Sequence, residues 1–151
     1  MTDQAPTEAP TAEPVPPLVV LGQAIQAKLA GAVTGVHFVY GELTLLAQRE
    51  SIARVLTFLR DDPDCRFQQL VDICGADYPE RSRRFDVVYH LLSLTKNHRI
   101  RVKLQTDEDT PVPTVGGGYT SADWFEREAY DMFGIFFDGH PDLRRLLTDY
   151  G

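Results

Sequence analysis

"RFDVVYHLLSLTKNHRIRVKLQT", residues 84–106, holds two runs of strand-forming residues on either side of a short polar turn, "TKNH". The first run, residues 84–94, is apolar on both faces, which predicts a central strand. The second, residues 99–106, alternates aliphatic side chains for the core with basic ones for the other face: Ile100, Val102 and Leu104 against Arg99, Arg101 and Lys103. We interpret the bases as a solvated strand face, with a binding stripe as the alternative.

The segments on either side of this hairpin supply further elements. Upstream, the spacing of apolar residues predicts a helix over 18–31 with Gly31 as its C-cap, strands over 35–40 and 42–47, a helix that stops before Pro63, and a strand over 67–76. Downstream, residues 107–121 are predicted to form a loop, and a helix follows up to Gly134. The order α-β-β-α-β-β-β-α, with short connections, predicts an α+β domain with an antiparallel or mixed sheet of about five strands.

Composition separates a tail from the rest of the chain. Residues 1–17 hold half of the prolines and three acids, so we predict disorder there and a single domain over 18–151. Residues 18–120 balance 12 acids with 12 bases, and residues 121–151 carry a net −4. We therefore expect no nucleic-acid binding. Because the chain shows no targeting signal and no long apolar run, we expect a bacterial protein that associates with membranes only through partners.

Two patterns that could hold a cofactor are incomplete. Cys65 and Cys74 lie nine positions apart, so we interpret them as reduced, largely buried thiols rather than ligands of a zinc ion or an iron–sulfur cluster. The glycines of residues 116–118 lack the spacing of a phosphate-binding loop and indicate flexible backbone.

The helix that ends at Gly134 divides into two faces. A capping box at Thr120 and Asp123 is predicted to start it. On a helical wheel the core-facing stripe contains Ala122, Phe125, Ala129, Met132 and Phe133, with Glu126 and Tyr130 at its edge. The opposite arc contains a predicted ion-pair ladder, Asp123–Arg127–Asp131, together with Glu128 and Trp124.

Trp124 lies in the middle of this charged arc, where a large indole has the composition of an interface anchor. The alternative is that a neighbouring loop of the same chain covers it. His140 precedes a proline; it is interpreted as a hydrogen-bonded turn residue, and acid–base catalysis with Glu126 or Glu128 is the alternative. Arg144 and Arg145 are expected to pair with a partner's acids or to cap carbonyls locally.

"EREAYDMFGIFFDGHPDLRRLL", residues 126–147, resembles the signature of the 30-kDa (C) subunit of the proton-pumping NADH:quinone oxidoreductase, respiratory complex I. The resemblance implies a further segment beyond the "TDYG" where this chain ends, so we expect the chain to be truncated there or to be an unusually short member of the family. The residues interpreted as signature or subunit interface are Trp124, Glu126, Arg127, Glu128, Asp131, Met132, Phe133, Gly134, His140, Pro141, Leu143, Arg144 and Arg145.

The resemblance implies a cofactor-free subunit of the peripheral arm on the cytoplasmic side of the inner membrane. It implies contacts with the 49-kDa quinone-site subunit and the small iron–sulfur subunits, while FMN and the clusters belong to other subunits. NADH-to-quinone electron transfer is then a property of the assembly. The alternatives are the equivalent subunit of a membrane-bound hydrogenase or of an NAD(P)H dehydrogenase-like complex, and a free-standing hydrolase that uses Glu126, Glu128 and His140.

Overall fold

The computed structural model describes residues 15–140. Its helices are α1 (Pro17–Lys28), α2 (Ile52–Asp61) and α3 (Ala122–Phe133). Its strands are β1 (Val33–Val39), β2 (Glu42–Ala47), β3 (Gln69–Asp77), β4 (Phe85–Ser93), β5 (His98–Thr106), β6 (Val112–Pro113) and β7 (Phe137–Asp138). A 3₁₀ turn over Arg49–Ser51 precedes α2. None of the helices in the described range is long and apolar enough to cross a membrane.

Five strands form one mixed sheet in the order β1-β2-β5-β4-β3. β4 and β5 pair antiparallel, from Phe85 opposite Thr106 to Ser93 opposite His98, so the predicted hairpin is confirmed. β2 and β5 pair parallel. This pairing is possible because α2, β3 and β4 lie between the two strands in the sequence and form a long connection. β4 has a partner on each side, which confirms it as a central strand and the domain as α+β.

The helices pack on one face of this sheet. Leu43, Ile100 and Val102 are among its buried side chains, each at most 2% exposed. α1 approaches β2 closely at Gly22, where an added Cβ would lie 2.9 Å from the Leu43 side chain. The opposite face carries the basic residues of β5. There Arg101 lies 3.2 Å from the Glu42 carboxylate, so part of the predicted solvated stripe is neutralised within the sheet.

Several predicted boundaries differ from the structure. Pro17, assigned to the tail, is the first residue of α1, since a proline needs no amide partner there. α1 ends at Lys28 rather than at Gly31, because the Leu29 amide closes the last turn on the Ile25 carbonyl. The loop predicted over 107–121 contains β6, which pairs parallel with β7. The predicted disorder of residues 1–14 lies outside the described residues.

The prediction for the two cysteines is half wrong. Cys65 is buried and Cys74 is exposed, and both are free thiols. Cys74 pairs with Val88 across β3 and β4, one residue after the buried Ile73, so alternation along the strand turns its side chain to the uncovered face.

Candidate functional site

Helix α3 carries most of the signature. Its C-terminal end agrees with the sequence prediction, and its N-terminal end does not. Gly134 ends it in the left-handed conformation at φ 77°, and its amide donates to the Tyr130 carbonyl, so the predicted stop is confirmed. The predicted capping box is wrong. The N-cap is Ser121, whose hydroxyl donates to the Leu70 carbonyl at 3.0 Å, and the Asp123 carboxylate turns towards Gly116, where a Cβ would collide with it.

The inward face of α3 is centred on Glu126. Ala122, Glu126 and Ala129 are buried, a spacing of four and three residues that defines one helical stripe. Two parts of the predicted wheel are therefore wrong: Glu126 is 0% exposed instead of lying at the edge, and Met132 is 76% exposed instead of facing the core. The stripe continues to Phe133, one residue on and about 100° around the helix from Met132.

The end of α3 is held against the sheet by aromatic packing. Phe133 lies edge-on to Phe85 of β4, with ring centroids 6.4 Å apart. Gly75 of β3 permits this approach, because a Cβ at that position would lie 2.6 Å from the Phe133 ring. These contacts fix the orientation of the helix and hence the direction of both of its faces.

The carboxylate of Glu126 binds the segment between β6 and α3. Its Oε1 accepts a hydrogen bond from the Thr114 hydroxyl at 2.5 Å, and its Oε2 accepts one from the Val115 amide at 2.9 Å. Burial raises the pKa of Glu126, and these two hydrogen bonds oppose that shift. The carboxylate thus supplies the acceptor for the buried Val115 amide and fixes this segment against α3.

His140, which follows α3 in the sequence, belongs to the same cluster. Its side chain is buried, and Nε2 lies 2.7 Å from the Asp123 carbonyl oxygen. A carbonyl oxygen can only accept, so Nε2 carries the proton. Asp123, Glu126 and His140 bring potential metal-ligand atoms within 4.8 Å of one another. Both carboxylate oxygens of Glu126 and the Nε2 of His140 are already hydrogen-bonded within the chain. This arrangement indicates that the cluster has a structural role.

Tyr89 of β4 completes the surroundings of Glu126. Its hydroxyl is buried and has no hydrogen-bond partner among residues 15–140. Burial raises the pKa of Tyr89, and the nearby charge of Glu126 raises it further. Sequence reasoning missed both Tyr89 and Thr114. Tyr89 looked like an ordinary strand aromatic, and Thr114 lies in the segment predicted as a loop.

The outer face of α3 is open. Trp124 is 66% exposed and stands beside a depression of about 650 Å³ lined by Thr120, Asp123, Trp124, Arg127, Glu128 and Asp131. Arg127 lies 3.3 Å from Asp131, so half of the predicted ladder forms, while Asp123 turns away to Gly116. No loop within residues 15–140 covers the indole.

The structure brings some of the predicted site residues together and separates others. Glu126 and His140 are neighbours, whereas Glu128 lies exposed on the outer face, so the three residues of the hydrolase hypothesis do not form one site. Pro141, Leu143, Arg144 and Arg145 lie outside the described residues.

Known proteins resemble the chain over most of its length. Residues 45–151 match the family described as respiratory-chain NADH dehydrogenase, 30 Kd subunit. The chain belongs to this family. Two bacterial proteins, each named as the C subunit of NADH-quinone oxidoreductase, are similar to it. That of Caulobacter sp. (strain K31) is 65% identical over the whole chain, which covers 69% of that protein. That of Caulobacter vibrioides is 66% identical over 89% of the chain, which covers 68% of that protein.

Solved structures agree with this membership. A trypsin-resistant fragment of Nqo5 has a TM-score of 0.65 and 32% identity, covering 82% of this chain and 97% of the fragment. A chain of an archaeal membrane-bound sulfane sulfur reductase has a TM-score of 0.68 and 25% identity. The match covers 80% of this chain and 70% of the reductase chain. The chain is therefore a complex I subunit of the 30-kDa family, and its partners are other subunits of that complex.

Proposed function

We propose that this 30-kDa-family chain is a cofactor-free structural subunit of the peripheral arm of complex I. It contributes to NADH-to-quinone electron transfer, and so to proton pumping, only within the assembly. One observation carries the proposal: α3 is fixed to its own domain through Glu126 and Phe133, and it exposes Trp124 and Met132 on its other side. A rigid helix with exposed large apolar side chains among charges has the composition of a docking element.

The residues of the chain support the absence of a resident redox group. An iron–sulfur cluster usually takes four cysteine thiolates, and the sequence has two cysteines. Of those two, Cys65 is buried in the core and Cys74 is exposed on β3. FMN and the clusters then belong to neighbouring subunits. We assign the docking partners as the 49-kDa quinone-site subunit and the small iron–sulfur subunits, on the cytoplasmic side of a bacterial inner membrane.

A second candidate is the equivalent subunit of a related membrane-bound complex. The likeness to a chain of the sulfane sulfur reductase favours it, because that protein is itself an archaeal respiratory membrane complex. Affinity purification of the native chain separates the two candidates. NADH-binding subunits among the co-purifying proteins support complex I, and hydrogenase-like or sulfur-reducing subunits support the alternative.

A free-standing hydrolase has less support. Both oxygens of Glu126 are held by Thr114 and Val115, and Glu128 lies on the other side of the helix. We expect the isolated chain to hydrolyse no ester, amide or glycoside substrate. Turnover that is lost in Glu126→Gln would contradict the structural role.

The docking face is tested with Trp124→Ala. Because the indole is mostly exposed, the isolated variant should melt close to the wild type, yet it should recover less of the complex in affinity purification. Tyr40→Ala is the matched control, since Tyr40 is an exposed aromatic on a turn far along the sequence from α3. A strong loss of thermal stability in Trp124→Ala, or equal recovery of the complex by both variants, would contradict the docking role.

A further inference from the structure

The uncovered face of the sheet ends in a basic depression. It has a volume of about 380 Å³ and lies where β2 and β5 run side by side, with Leu46 opposite Lys103. Among the described residues no carboxylate lines it, although the chain as a whole has a net charge of −7. Its polar lining residues come from β1, β5 and the turns beside β2 and β4: Thr34, His37, Gln48, Arg49, Arg83, Lys103 and Gln105.

The three cations keep unused hydrogen-bonding capacity. Arg49 donates one bond from Nη1 to the Pro111 carbonyl at 2.7 Å, which leaves most of its five N–H groups available. Lys103 lies 3.9 Å from Asp86, and Arg81 holds the other oxygen of that carboxylate at 2.6 Å. Within residues 15–140 the Arg83 guanidinium makes no hydrogen bond or ion pair.

Carboxylates approach the site from one side. A smaller depression of about 140 Å³ shares Arg49, Arg83 and Gln105 with it and also contains Glu50 and Asp107. Asp107 already accepts bonds from the Thr110 hydroxyl at 2.7 Å and the Asp109 amide at 3.0 Å. These bonds leave the negative charge of Asp107 in place, and that charge attracts Arg83. The larger depression itself is lined by three cations and, among the described residues, by no carboxylate.

We propose that this basic depression binds the phosphate group of an anionic ligand. A phosphate carries up to two negative charges and several acceptor oxygens, which matches three cations and two side-chain amides better than a single carboxylate does. Arginine forks bind phosphate through two parallel N–H groups, and Lys103 adds a point charge. The group comes from a soluble phosphate compound or from a phospholipid headgroup, and the proposal does not depend on the docking role of α3.

The first experiment titrates the full chain with inorganic phosphate and follows backbone amide shifts by NMR. We expect shifts confined to the depression, with a dissociation constant of about 1 mM. Arg83→Gln and Lys103→Gln should each weaken binding about tenfold, the loss expected for one charge-assisted contact. Arg99→Gln is the matched control, since Arg99 lies four residues from Lys103 on the same face of β5 and does not line the depression.

Three results would overturn the proposal. These are shifts spread evenly over the surface, no saturation at tens of millimolar phosphate, and an equal loss of binding in Arg99→Gln. All variants are compared only after their melting temperatures are shown to match the wild type. A glutamate-rich peptide that binds through Arg83 and Lys103 while phosphate does not would also overturn it, because the site would then recognise carboxylates.

A second experiment identifies the source of the phosphate group. The chain is sedimented with vesicles of phosphatidylglycerol in phosphatidylcholine and with vesicles of phosphatidylcholine alone. Co-sedimentation with the anionic vesicles that is lost in Arg83→Gln supports a lipid headgroup. Binding of inorganic phosphate without co-sedimentation supports a soluble phosphate compound.

Discussion

Replacing Glu126 by leucine should destabilise the domain although it places an apolar side chain in a buried position. The carboxylate is 0% exposed and accepts the amide proton of Val115, which is itself buried. Leucine leaves that amide without an acceptor, at a cost of about 1–3 kcal/mol. The Thr114 hydroxyl is half-buried and can turn to water, so it adds little. A loss of about 2 kcal/mol should lower the melting temperature by roughly 8 °C in a domain of this size.

Glutamine at position 126 should behave differently, because its carbonyl oxygen can still accept from Val115 and it has no charge to bury. Burial raises the pKa of Glu126 in the folded state above its ordinary value of 4.5. The folded protein thus binds more protons than the unfolded one between those two values. Protonation of Glu126 therefore stabilises the folded state. This stabilisation is fully present below pH 4.5 and is lost as the pH rises through the folded-state pKa of Glu126. Glu126→Gln removes this dependence.

The assay is urea unfolding followed by circular dichroism at about pH 5 and about pH 8, with Glu128→Gln as the control on the same helix. The free energy of unfolding of the wild type minus that of Glu126→Gln should be larger at the acidic pH. For Glu128→Gln, which alters an exposed residue, the same difference should change little with pH. A Glu126→Leu variant as stable as the wild type, or the same pH response in both glutamine variants, would refute the reasoning.

The remaining predictions concern the surroundings of Glu126 and the thiols. Arg127→Ala should cost less than about 1 kcal/mol in urea unfolding, because its ion pair is largely solvated; a larger loss would show that the arginine packs. His140→Ala should lower the melting temperature of the isolated chain, and normal stability and assembly with lost quinone reduction would indicate a chemical role instead. Zinc or EDTA should leave the melting temperature unchanged, and a rise with zinc would indicate a metal site. A thiol reagent should label Cys74 in the folded chain, slowly because its pKa is raised to about 11 mainly by desolvation, and Cys65 only after unfolding.

The sequence was most informative where periodicity is strong. The alternation of residues 99–106 predicted which side chains of β5 enter the core, and the neighbouring apolar run predicted a central strand. Helix α2 was equally clear, with Ile52, Val55, Leu56 and Leu59 all buried as the spacing requires. These elements are long, and burial alone determines their pattern.

The sequence failed where a polar group is held by a distant one. A helical wheel places Glu126 only at the edge of the core-facing stripe, because its hydrogen-bond partners lie 11 and 12 positions upstream in a segment without periodicity. The pairing of β6 with β7 involves two residues on each strand and includes Pro113, so neither run has a strand signature. Such contacts become visible only when the fold has brought the segments together.

The burial of Glu126 also changes how variants of the signature must be interpreted. The inward residues Glu126 and His140 hold the domain, and the outward residues Trp124 and Met132 lie in solvent. A variant of the first kind reduces assembly by lowering the folded fraction, without any contact to a partner, whereas a variant of the second kind leaves the folded fraction unchanged. Loss of the complex alone therefore does not identify an interface residue of this protein. Only loss of the complex at unchanged stability does, and on the described surface of α3 we expect variants around Trp124 to meet that criterion.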